Sequence, residues 1–370
     1  MIGREQFFAP EGRYFLSHSI GLMPRTAANA LDAAYFSPWR NAQVDTWAEW
    51  LAGVDAFRRN LAPVIGASPA DICPQTNVSS ALTKILFSLP ERARRKKIVL
   101  TEDDFPTVGF VLAEARRIGY ELQFLPGGPR LADLDAWTPA FHDDVQLVLA
   151  THVFSNTAVK APVAAIAREA RRRGVFSVLD IAHSTGAVPI DLGAWAPDFA
   201  IGTSLKYLCG GPGAAFLWTP PETAGRCSPL DVGWFSHAEP FKFDIHDFRY
   251  AEGATRYWGG TPSIAPFVLA AAGSKIIGEA GVEAIFAHTQ RLLSRFVDAM
   301  PREAVLSHAR EGECGASIVV AVKDVAAASA ALSQAGMRHD IRMGGVRFSF
   351  HLYNDDSDVD ALAETIAPLL

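Results

Sequence analysis

The sequence predicts an α/β protein with a mostly parallel central sheet flanked by helices, followed by a small α+β domain. Between residues 60 and 220, short apolar runs alternate with helical patterns, and most of the runs are continuously apolar rather than alternating. Strands covered by helices on both faces have this composition. After residue 262 the order changes to a long helix, a strand, a helix, a strand pair and a closing helix. That order is typical of a second, smaller unit.

The elements of the predicted sheet follow one another along the first part of the chain. The predicted strands are Lys97–Leu100, Glu121–Leu125, Val145–Ala150, Phe176–Asp180, Phe199–Thr203 and Ala214–Trp218. The predicted helices between them include Ser79–Ser88, Val108–Arg117 and Pro162–Arg173. Because strands that alternate with helices in this way run parallel, these units predict one open sheet with helices on both sides.

The second unit begins with a long helical pattern. This pattern covers Ala265–Met300 and is predicted to break near Gly278 and Gly281. The elements predicted after it are a strand near Ala316–Val322, a helix near Val325–Ala335 with Gly336 at its C-terminal end, a strand pair around Arg342–Phe350 and a helix from about Asp356. Together they predict a small α+β domain that the long helix joins to the sheet.

Composition and charge limit the classes of function open to this chain. It has 370 residues, of which 49% are hydrophobic and 20% charged, and its formal net charge is −6 at pH 7. Such a chain is long enough to form a large and a small domain around buried cores. Because it has no excess of basic residues to neutralise phosphates, neither nucleic acid nor a membrane surface is an expected partner.

Cysteine and histidine spacing, together with the N-terminus, predicts a cellular setting. The four cysteines are isolated in the sequence, which favours a reduced, cytoplasmic environment. The ten histidines show no metal-ligand spacing, so no metal is expected. The N-terminal residues lack the apolar core of a signal peptide, and no run of 18 apolar residues predicts a membrane-spanning helix. We therefore expect a cytoplasmic protein.

One lysine, Lys206, has unusual surroundings. It follows the predicted strand Phe199–Thr203, is flanked by apolar residues and precedes a glycine-rich turn at residues 209–213. An amine largely removed from water has a lowered pKa and forms a Schiff base with an aldehyde. Upstream, Asp180 ends another predicted strand. A lysine for the aldehyde carbon and a carboxylate that keeps the pyridine nitrogen protonated are what pyridoxal 5′-phosphate requires.

Three motifs carry a resemblance to a known family. Residues 180–183, DIAH, match the pattern D-x-A-H, and residues 206–213, KYLCGGPG, match K-Y-L-x-G-G-P-G. Residues 233–237, GWFSH, match a segment more particular to kynureninases. The chain therefore resembles the class V branch of fold-type I pyridoxal-phosphate enzymes, and within it the kynureninase family. The resemblance extends from Ser19 to Arg347 and covers nearly the whole chain.

The resemblance implies an organisation and an activity. It implies the fold of a fold-type I PLP-dependent transferase, with a large PLP-binding domain at residues 21–262. Residues 1–20 are expected to pack with a small domain, which together with the connecting helix covers residues 263–370. The implied enzyme is a homodimer with shared active sites. Its implied reaction is cleavage of the side chain of an α-amino acid at the β-carbon, by hydrolysis of a C–C bond or by elimination, through a Lys206 aldimine and a quinonoid intermediate.

The resemblance also implies residues for the cofactor site. Lys206, Asp180 and His183 are the expected catalytic residues. The expected cofactor contacts are Val78, Ser79, Phe105, Thr151, Asp180, His183, Thr203, Ser204, Lys206, Trp234 and Thr261. The first two lie at the start of a predicted helix, where N–H groups bind phosphate, and several others lie at the carboxyl ends of strands, where α/β sheets bind ligands. Trp234 and Thr261 match positions that complete the partner subunit's site.

Other interpretations of these residues stay open. Thr76–Ser80 is by itself an ordinary helix cap, Phe105 can fill the core from a loop, and a lone histidine such as His183 is often structural. Arg347 lies between apolar residues on a predicted strand, and the resemblance places the substrate carboxylate on it. A planar guanidinium fits a carboxylate with two bonds, but a structural ion pair within the small domain is the alternative.

The chain departs from the kynureninase pattern at four positions. Leu205 stands where the family has a tyrosine implicated in proton transfer, Val108 where it has an aspartate, Thr261 where it has an asparagine and Ala158 where it has a glycine. Transamination, epimerisation and C–S cleavage, as well as a non-catalytic dimer that binds the cofactor, are therefore alternatives. Cysteine desulfurases need a mobile thiol shortly before the carboxylate-binding arginine. Because residues 326–346 contain no cysteine, cysteine desulfurase activity is not expected.

Overall fold

A seven-stranded sheet forms the centre of the computed structural model, which describes residues 3–41, 45–307 and 312–370. The strands in the described residues are β1 (Arg13–Tyr14), β2 (Ile72–Gln75), β3 (Lys97–Thr101), β4 (Glu121–Leu125), β5 (Val145–Thr151), β6 (Phe176–Asp180), β7 (Phe199–Thr203), β8 (Ala215–Trp218), β9 (Ser317–Val320), β10 (Met337–Arg338), β11 (Asp340–Arg342) and β12 (Gly345–Ser349). The six strands predicted for the sheet are confirmed to within one residue at each end. β2 is a seventh strand that the sequence pattern did not reveal.

Helices precede, separate and follow these strands. The α-helices in the described residues are α1 (Ala27–Leu31), α2 (Ser37–Arg40), α3 (Thr46–Leu61), α4 (Val78–Leu86), α5 (Pro106–Ala113), α6 (Val163–Arg173), α7 (Leu192–Trp195), α8 (Pro221–Gly225), α9 (Ala265–Ala280), α10 (Val282–Asp298), α11 (Val325–Gln334) and α12 (Asp356–Ile366). The three helices predicted between the strands are all present. The predicted helix Val108–Arg117 begins earlier, at Pro106, and after Ala113 it continues as a 3₁₀-helix.

The strand order of the large sheet is β2-β8-β7-β6-β5-β3-β4. From β7 to β4 every neighbouring pair is parallel, and only β8 runs antiparallel to its neighbours, β7 and β2. The chain must therefore reverse between β7 and β8. The turn of residues 204–214 makes that reversal, and it carries Lys206.

The continuously apolar strands are buried on both faces, as predicted. Along β5, Val148 and Ala150 belong to one large apolar cluster, whereas Leu147 and Leu149 belong to another. Successive side chains of a strand point to opposite faces of the sheet, so the two clusters are the two covered faces. The sheet therefore has helices packed on each side, and its strand ends are the places where polar side chains meet.

The long helical pattern after residue 262 is broken at one of its two glycines. α9 ends at Ala280, Gly281 has a φ of 80°, and α10 begins at Val282. Gly278 lies within α9. No single helix among the described residues is long and apolar enough to cross a membrane; α9 and α10 pass that test only as a pair, across a bend of 78°.

A three-stranded antiparallel sheet, in the order β11-β12-β9, is the centre of the C-terminal unit. Its apolar cluster includes residues of α10, α11 and α12. The N-terminal segment joins this unit, because β1 pairs with β10 and the buried ring of Phe15 packs edge-on against Phe348 and Phe350. This contact supports the predicted packing of residues 1–20, of which residues 1 and 2 lie outside the described part. The domain boundaries at 20 and 262 stay a prediction.

A close approach between α9 and the 204–214 turn holds that turn in place. A Cβ atom added at Gly273 would lie 2.1 Å from the carbonyl oxygen of Leu208 and 2.8 Å from that of Cys209. Because backbone atoms cannot be pushed aside as the end of a flexible side chain can, only glycine fits at this point of the helix. Elsewhere in α9, a Cβ at Gly278 would meet Val64 at an ordinary 3.7 Å.

We expect Gly273→Ala to destabilise the protein and Gly278→Ala, its matched control in the same helix, to be tolerated. Alanine favours a helix over glycine by roughly 0.5–1 kcal/mol. Overpacking against a backbone, however, typically costs about 1–3 kcal/mol. The free energy of unfolding should therefore fall in Gly273→Ala and rise slightly in Gly278→Ala. Urea unfolding gives both free energies of unfolding. Equal stability of the two variants would show that the turn does not press on α9.

Candidate active site

A cleft of about 270 Å³ opens at the carboxyl ends of the parallel strands. Thr151, Asp180 and Thr203 are the last residues of β5, β6 and β7, and Thr151 lies opposite Asp180 in the register of the sheet. The sequence-predicted residues that line the cleft are Val78, Ser79, Phe105, Thr151, Asp180, His183, Thr203 and Lys206. The sheet therefore gathers residues spread over nearly 130 positions of the chain.

Lys206 contributes an amine that is largely removed from water. Its Nζ lies 5.8 Å from the centre of the Phe105 ring, and among the described residues it has no ion-pair partner. Burial lowers the pKa of Lys206 to about 8; the nearby charges of Arg347 and Arg342 act in the same direction, and that of Asp180 opposes them. A substantial fraction of this amine is therefore neutral, and nucleophilic, close to neutral pH.

Asp180 is a buried carboxylate at the end of β6. Its Oδ1 accepts the backbone N–H of Ala182 at 2.9 Å. Burial raises its pKa, while the Ala182 N–H and the charge of Lys206 act against that rise. A carboxylate at this place can hold a proton on a ring nitrogen, since it lacks the water that would otherwise compete for that proton.

A second buried carboxylate, Asp104, was missed in the sequence. Its Oδ1 accepts the hydroxyl of Thr151 at 2.5 Å, and its Oδ2 accepts the backbone N–H of Thr101 at 2.7 Å. Burial, with a further contribution from the charge of Asp180, raises the pKa of Asp104 to about 7. Asp104 fixes the direction of the Thr151 hydroxyl. The sequence signal that could have identified Asp104 was its position directly before Phe105, an expected cofactor contact.

The N-terminus of α4 forms one end of the cleft. The Asn77 side chain caps this helix by accepting the backbone N–H of Ser80 at 2.8 Å. Thr76, Asn77, Val78 and Ser79 all line the cleft. Free N–H groups in the first turn of a helix attract an anion, so this end of the cleft is suited to a phosphate group.

The two hydroxyls before Lys206 differ in position. Thr203 lines the cleft, and its Oγ1 accepts the backbone N–H of Leu205 at 3.3 Å. Ser204 is fully buried, and its hydroxyl lies 2.8 Å from the carbonyl oxygen of Ala214 and 3.1 Å from that of Gly211. The Ser204 side chain therefore stabilises the turn and does not line the cleft, so the cofactor contact expected from its place just before Lys206 is wrong.

His183 and Phe105 occupy different depths of the cleft. Phe105 is 42% exposed, so it lies at the rim rather than filling the core. His183 is buried, and its Nδ1 has no hydrogen-bond partner in the described residues. Burial, together with the charges of Lys206 and Arg347, lowers the pKa of His183 well below its ordinary value, so its imidazole is neutral. An unpartnered nitrogen at a cleft wall is suited to bind a ligand.

Arg347, on β12, lies beside the cleft without being one of its lining residues. Its Nε and Nη2 donate to the two carboxylate oxygens of Asp340 at 2.8 and 2.5 Å, and its Nη1 donates to the carbonyl oxygen of Ser155 at 2.7 Å. Ser155 does line the cleft, and its hydroxyl has no partner in the described residues. The ion pair considered as an alternative is thus present, next to the site. Sequence reasoning missed Ser155 and Asp340.

Trp234 and Thr261 lie together outside the cleft. The indole N–H of Trp234 donates to the hydroxyl of Thr261 at 3.3 Å. Thr261 lines a separate cavity that also contains Thr76, which is shared with the main cleft. The structure therefore places this pair outside the cleft but close to the end of it that the N-terminus of α4 forms.

The departures from the kynureninase pattern are visible in the cleft. Leu205 and Val108 both line it, with apolar side chains where the resemblance expects polar ones. Ala158 has a φ of 57°, in the left-handed region that favours glycine, which explains why a glycine is expected there. In the described residues, no group of three or more His, Cys, Asp or Glu side chains is arranged to hold a metal ion.

The residues present fit the cofactor that the resemblance implies. The cleft combines a partly neutral amine, a buried carboxylate, an aromatic ring and a helix N-terminus. These match, in turn, the aldehyde, the pyridine nitrogen, the ring face and the phosphate of pyridoxal 5′-phosphate. Two buried polar atoms, Nδ1 of His183 and Oγ of Ser155, are unpartnered at the same cleft.

Solved structures of known enzymes share this fold. The complex of the cystine C–S lyase C-DES with cysteine persulfide superposes with a TM-score of 0.87 at 21% identity, covering 97% of this chain and 98% of that one. The cysteine desulfurase of Thermococcus onnurineus NA1 gives a TM-score of 0.85 at 20% identity, covering 97% and 94%. At such low identity these likenesses establish the fold alone.

Sequence comparisons show the family. The model described as aminotransferase class-V matches residues 14–362. The kynureninase of Deinococcus radiodurans is 31% identical over 99% of this chain and 92% of its own length, and that of Pseudomonas fluorescens is 28% identical over 80% and 72%. The chain belongs to the class V aminotransferase family of pyridoxal-phosphate enzymes, in which it is similar to the kynureninases.

Proposed function

We propose that this pyridoxal-phosphate enzyme cleaves the side chain of an α-amino acid at its β-carbon, as the kynureninases do. One observation carries the proposal: the Lys206 amine, with its lowered pKa, lies in a buried cleft that Asp180 and the start of α4 also line. The likeness to the kynureninase of Deinococcus radiodurans over nearly the whole chain supports this reaction in particular.

Each residue of the cleft has a definite task in this proposal. Pyridoxal 5′-phosphate, when bound, withdraws the electron pair that a broken bond leaves on the amino acid. Asp180 holds a proton on the pyridine nitrogen, and the N–H groups of Val78 and Ser79 bind the phosphate. The neutral amine of Lys206 takes the proton from the α-carbon, a task for which a pKa near neutral pH is suited.

In hydrolytic cleavage, water adds to the γ-carbonyl carbon, the bond between the β- and γ-carbons breaks, and the β-carbon takes up a proton. That proton must come from groups other than residue 205. Leu205 has no proton to give, although the kynureninase pattern has a tyrosine there. His183, neutral and with one unpartnered nitrogen, and Ser155, with its hydroxyl, line the cleft, and these buried polar atoms have no hydrogen-bond partner within the described residues. Acid–base assistance is typically worth ~10²–10⁴-fold in rate, so these two groups decide whether the proposed cleavage is fast.

A second copy of the chain is the proposed partner. Trp234 packs edge-on against Phe241 and stacks on Phe243, which is 75% exposed, and nearby Ile245 is 90% exposed. Apolar side chains this exposed, next to a pair that the resemblance assigns to the partner's site, support burial in a homodimer.

All four cysteines are buried and none forms a disulfide, which supports the proposed cytoplasmic setting.

Incubation of the holoenzyme with L-kynurenine tests the reaction. We expect anthranilate and alanine in equal amounts, identified by mass spectrometry, and no product from Lys206→Ala. Pyridoxamine phosphate as the product would instead indicate transamination. A change of configuration at the α-carbon would indicate epimerisation, and formation of pyruvate from cystine would indicate C–S cleavage. If no amino acid changes the absorbance of the bound cofactor, the catalytic proposal is wrong and the non-catalytic dimer gains support.

The pH dependence of cofactor attachment tests the state of Lys206. Only the neutral amine attacks an aldehyde, and the pKa of Lys206 is lowered from 10.5 to about 8. In the apoprotein, the rate of covalent attachment of pyridoxal 5′-phosphate, trapped by borohydride, should therefore rise with pH and level off above about 8. Lys206→Arg is the control and should trap nothing. A rate that keeps rising towards pH 10.5 would mean that the amine is solvated.

Phe243→Glu tests the proposed dimer. A charge on this exposed ring position should shift the protein towards monomer in analytical ultracentrifugation and lower the activity, because the shared sites come apart. Phe124→Glu, on the edge strand β4, places the same charge at an exposed ring elsewhere and should leave the dimer intact. A wild-type protein that is monomeric and fully active would refute the shared site.

A further inference from the structure

A buried network of charges lies against the wall of the cleft. Arg347 is 2% exposed and His18 is 1% exposed, and both contact the carboxylate of Asp340. Asp340 and Arg347 face each other directly in the antiparallel pairing of β11 and β12. Their bond is a side-on, two-point contact from Nε and Nη2 to the two carboxylate oxygens. This geometry fixes the plane of the guanidinium as well as its charge.

The guanidinium keeps two donors after these bonds. An arginine side chain has five N–H donors, of which Nε carries one and each terminal nitrogen two. Asp340 takes one from Nε and one from Nη2, and the carbonyl oxygen of Ser155 takes one from Nη1. Within the part of the chain that the structure describes, one N–H therefore remains on each terminal nitrogen. A pair on the two terminal nitrogens is a fork that matches the two oxygens of a carboxylate.

The network is next to the reacting groups. The carbonyl oxygen that binds Arg347 belongs to Ser155, whose side chain lines the cleft. Lys206 and His183 line the same cleft as Ser155, and the charge of Arg347 lowers the pKa of both. The guanidinium is therefore bonded to the wall of the cleft that contains the lysine.

His18 fixes Asp340 from the other side. Burial, its largest influence, lowers the pKa of His18 to about 4, so the ring is neutral at neutral pH. A carboxylate only accepts, so the neutral ring donates its Nε2–H to Asp340 Oδ1 at 3.0 Å, and its Nδ1 lies 2.8 Å from the hydroxyl of Ser349. Burial alone would raise the pKa of Asp340, but the bonds from Arg347 and His18 hold it below its ordinary value. Asp340 is thus a charged, immobile partner.

We propose that Asp340 is a positioning residue that, held by His18, aims the two remaining N–H donors of Arg347 at the α-carboxylate of the substrate. The inference rests on the proposed function, because it assumes an amino-acid substrate. It assigns to Asp340 the selectivity for substrates that carry an α-carboxylate over the corresponding amines. The opposite role, in which Asp340 occupies the guanidinium and keeps a carboxylate out, makes the opposite prediction for binding of the amino acid by Asp340→Asn.

The experiment compares amino acids with their decarboxylated amines on the holoenzyme. Dissociation constants come from titrating the absorbance change of the bound cofactor, which needs no turnover. The variant is Asp340→Asn, and the matched control is Asp360→Asn. Asp360 makes the same two-point contact with Arg295, at 2.7 and 2.8 Å, but on the exposed surface.

We expect Asp340→Asn to weaken binding of the amino acid about tenfold or more, because a bond to a charged group that loses its direction costs about that factor. Binding of the amine, which lacks the carboxylate, should change less than about threefold, and Asp360→Asn should change neither. In steady state, KM should rise while kcat stays within a few-fold. A loss of stability alone would weaken acid and amine alike.

Three results overturn the inference. Tighter binding of the amino acid by Asp340→Asn would show that Asp340 blocks the guanidinium, and an equal loss for acid and amine would show a structural role. If Asp340→Asn does not fold, Asp340→Glu keeps the negative charge but moves the guanidinium, and an unchanged preference for the acid in that variant also overturns the inference. A wild-type protein that binds no amino acid refutes the proposed function instead, so the two failures are distinguishable.

Discussion

Removal of the Lys206 amine from water is the constraint on which the site depends. Burial lowers its pKa to about 8, and the chain holds it there from three directions. The N–H of Gly21 donates to the carbonyl oxygen of Leu205 at 2.9 Å, Gly273 of α9 presses on the same turn, and His351 donates to the carbonyl oxygen of Tyr207 at 2.8 Å. These contacts fix the backbone of the turn that carries the reactive amine.

The low polarity of the protein interior also explains how the other charged side chains around the cleft are held. A buried carboxylate or guanidinium is tolerated only where partners satisfy it, so each one is tied down. Asp104 is bonded to the Thr151 hydroxyl, Asp180 to a backbone N–H, and Arg347 to Asp340. Two buried polar atoms without partners in the described residues, on His183 and Ser155, belong to residues that line the cleft, where a ligand could satisfy them.

The site joins two parts of the molecule through a few contacts. The lysine, its carboxylate and the helix N-terminus belong to the large sheet, whereas Arg347 comes from the small one. The bond from Arg347 to the carbonyl oxygen of Ser155 spans 192 positions of sequence. That bond connects the small sheet to the wall of the cleft.

The sequence alone determined six of the seven strands of the large sheet and the lysine turn, because apolar runs and the 206–213 motif are local patterns. It also indicated that Arg347 must have a partner, since a guanidinium between apolar residues cannot stay unpaired. Only the tertiary structure decided that the partner is Asp340, that His18 braces it, that Ser204 serves the turn and that Asp104 orients Thr151. Those contacts depend on strand register and on segments that meet across the fold, so no spacing along the chain encodes them.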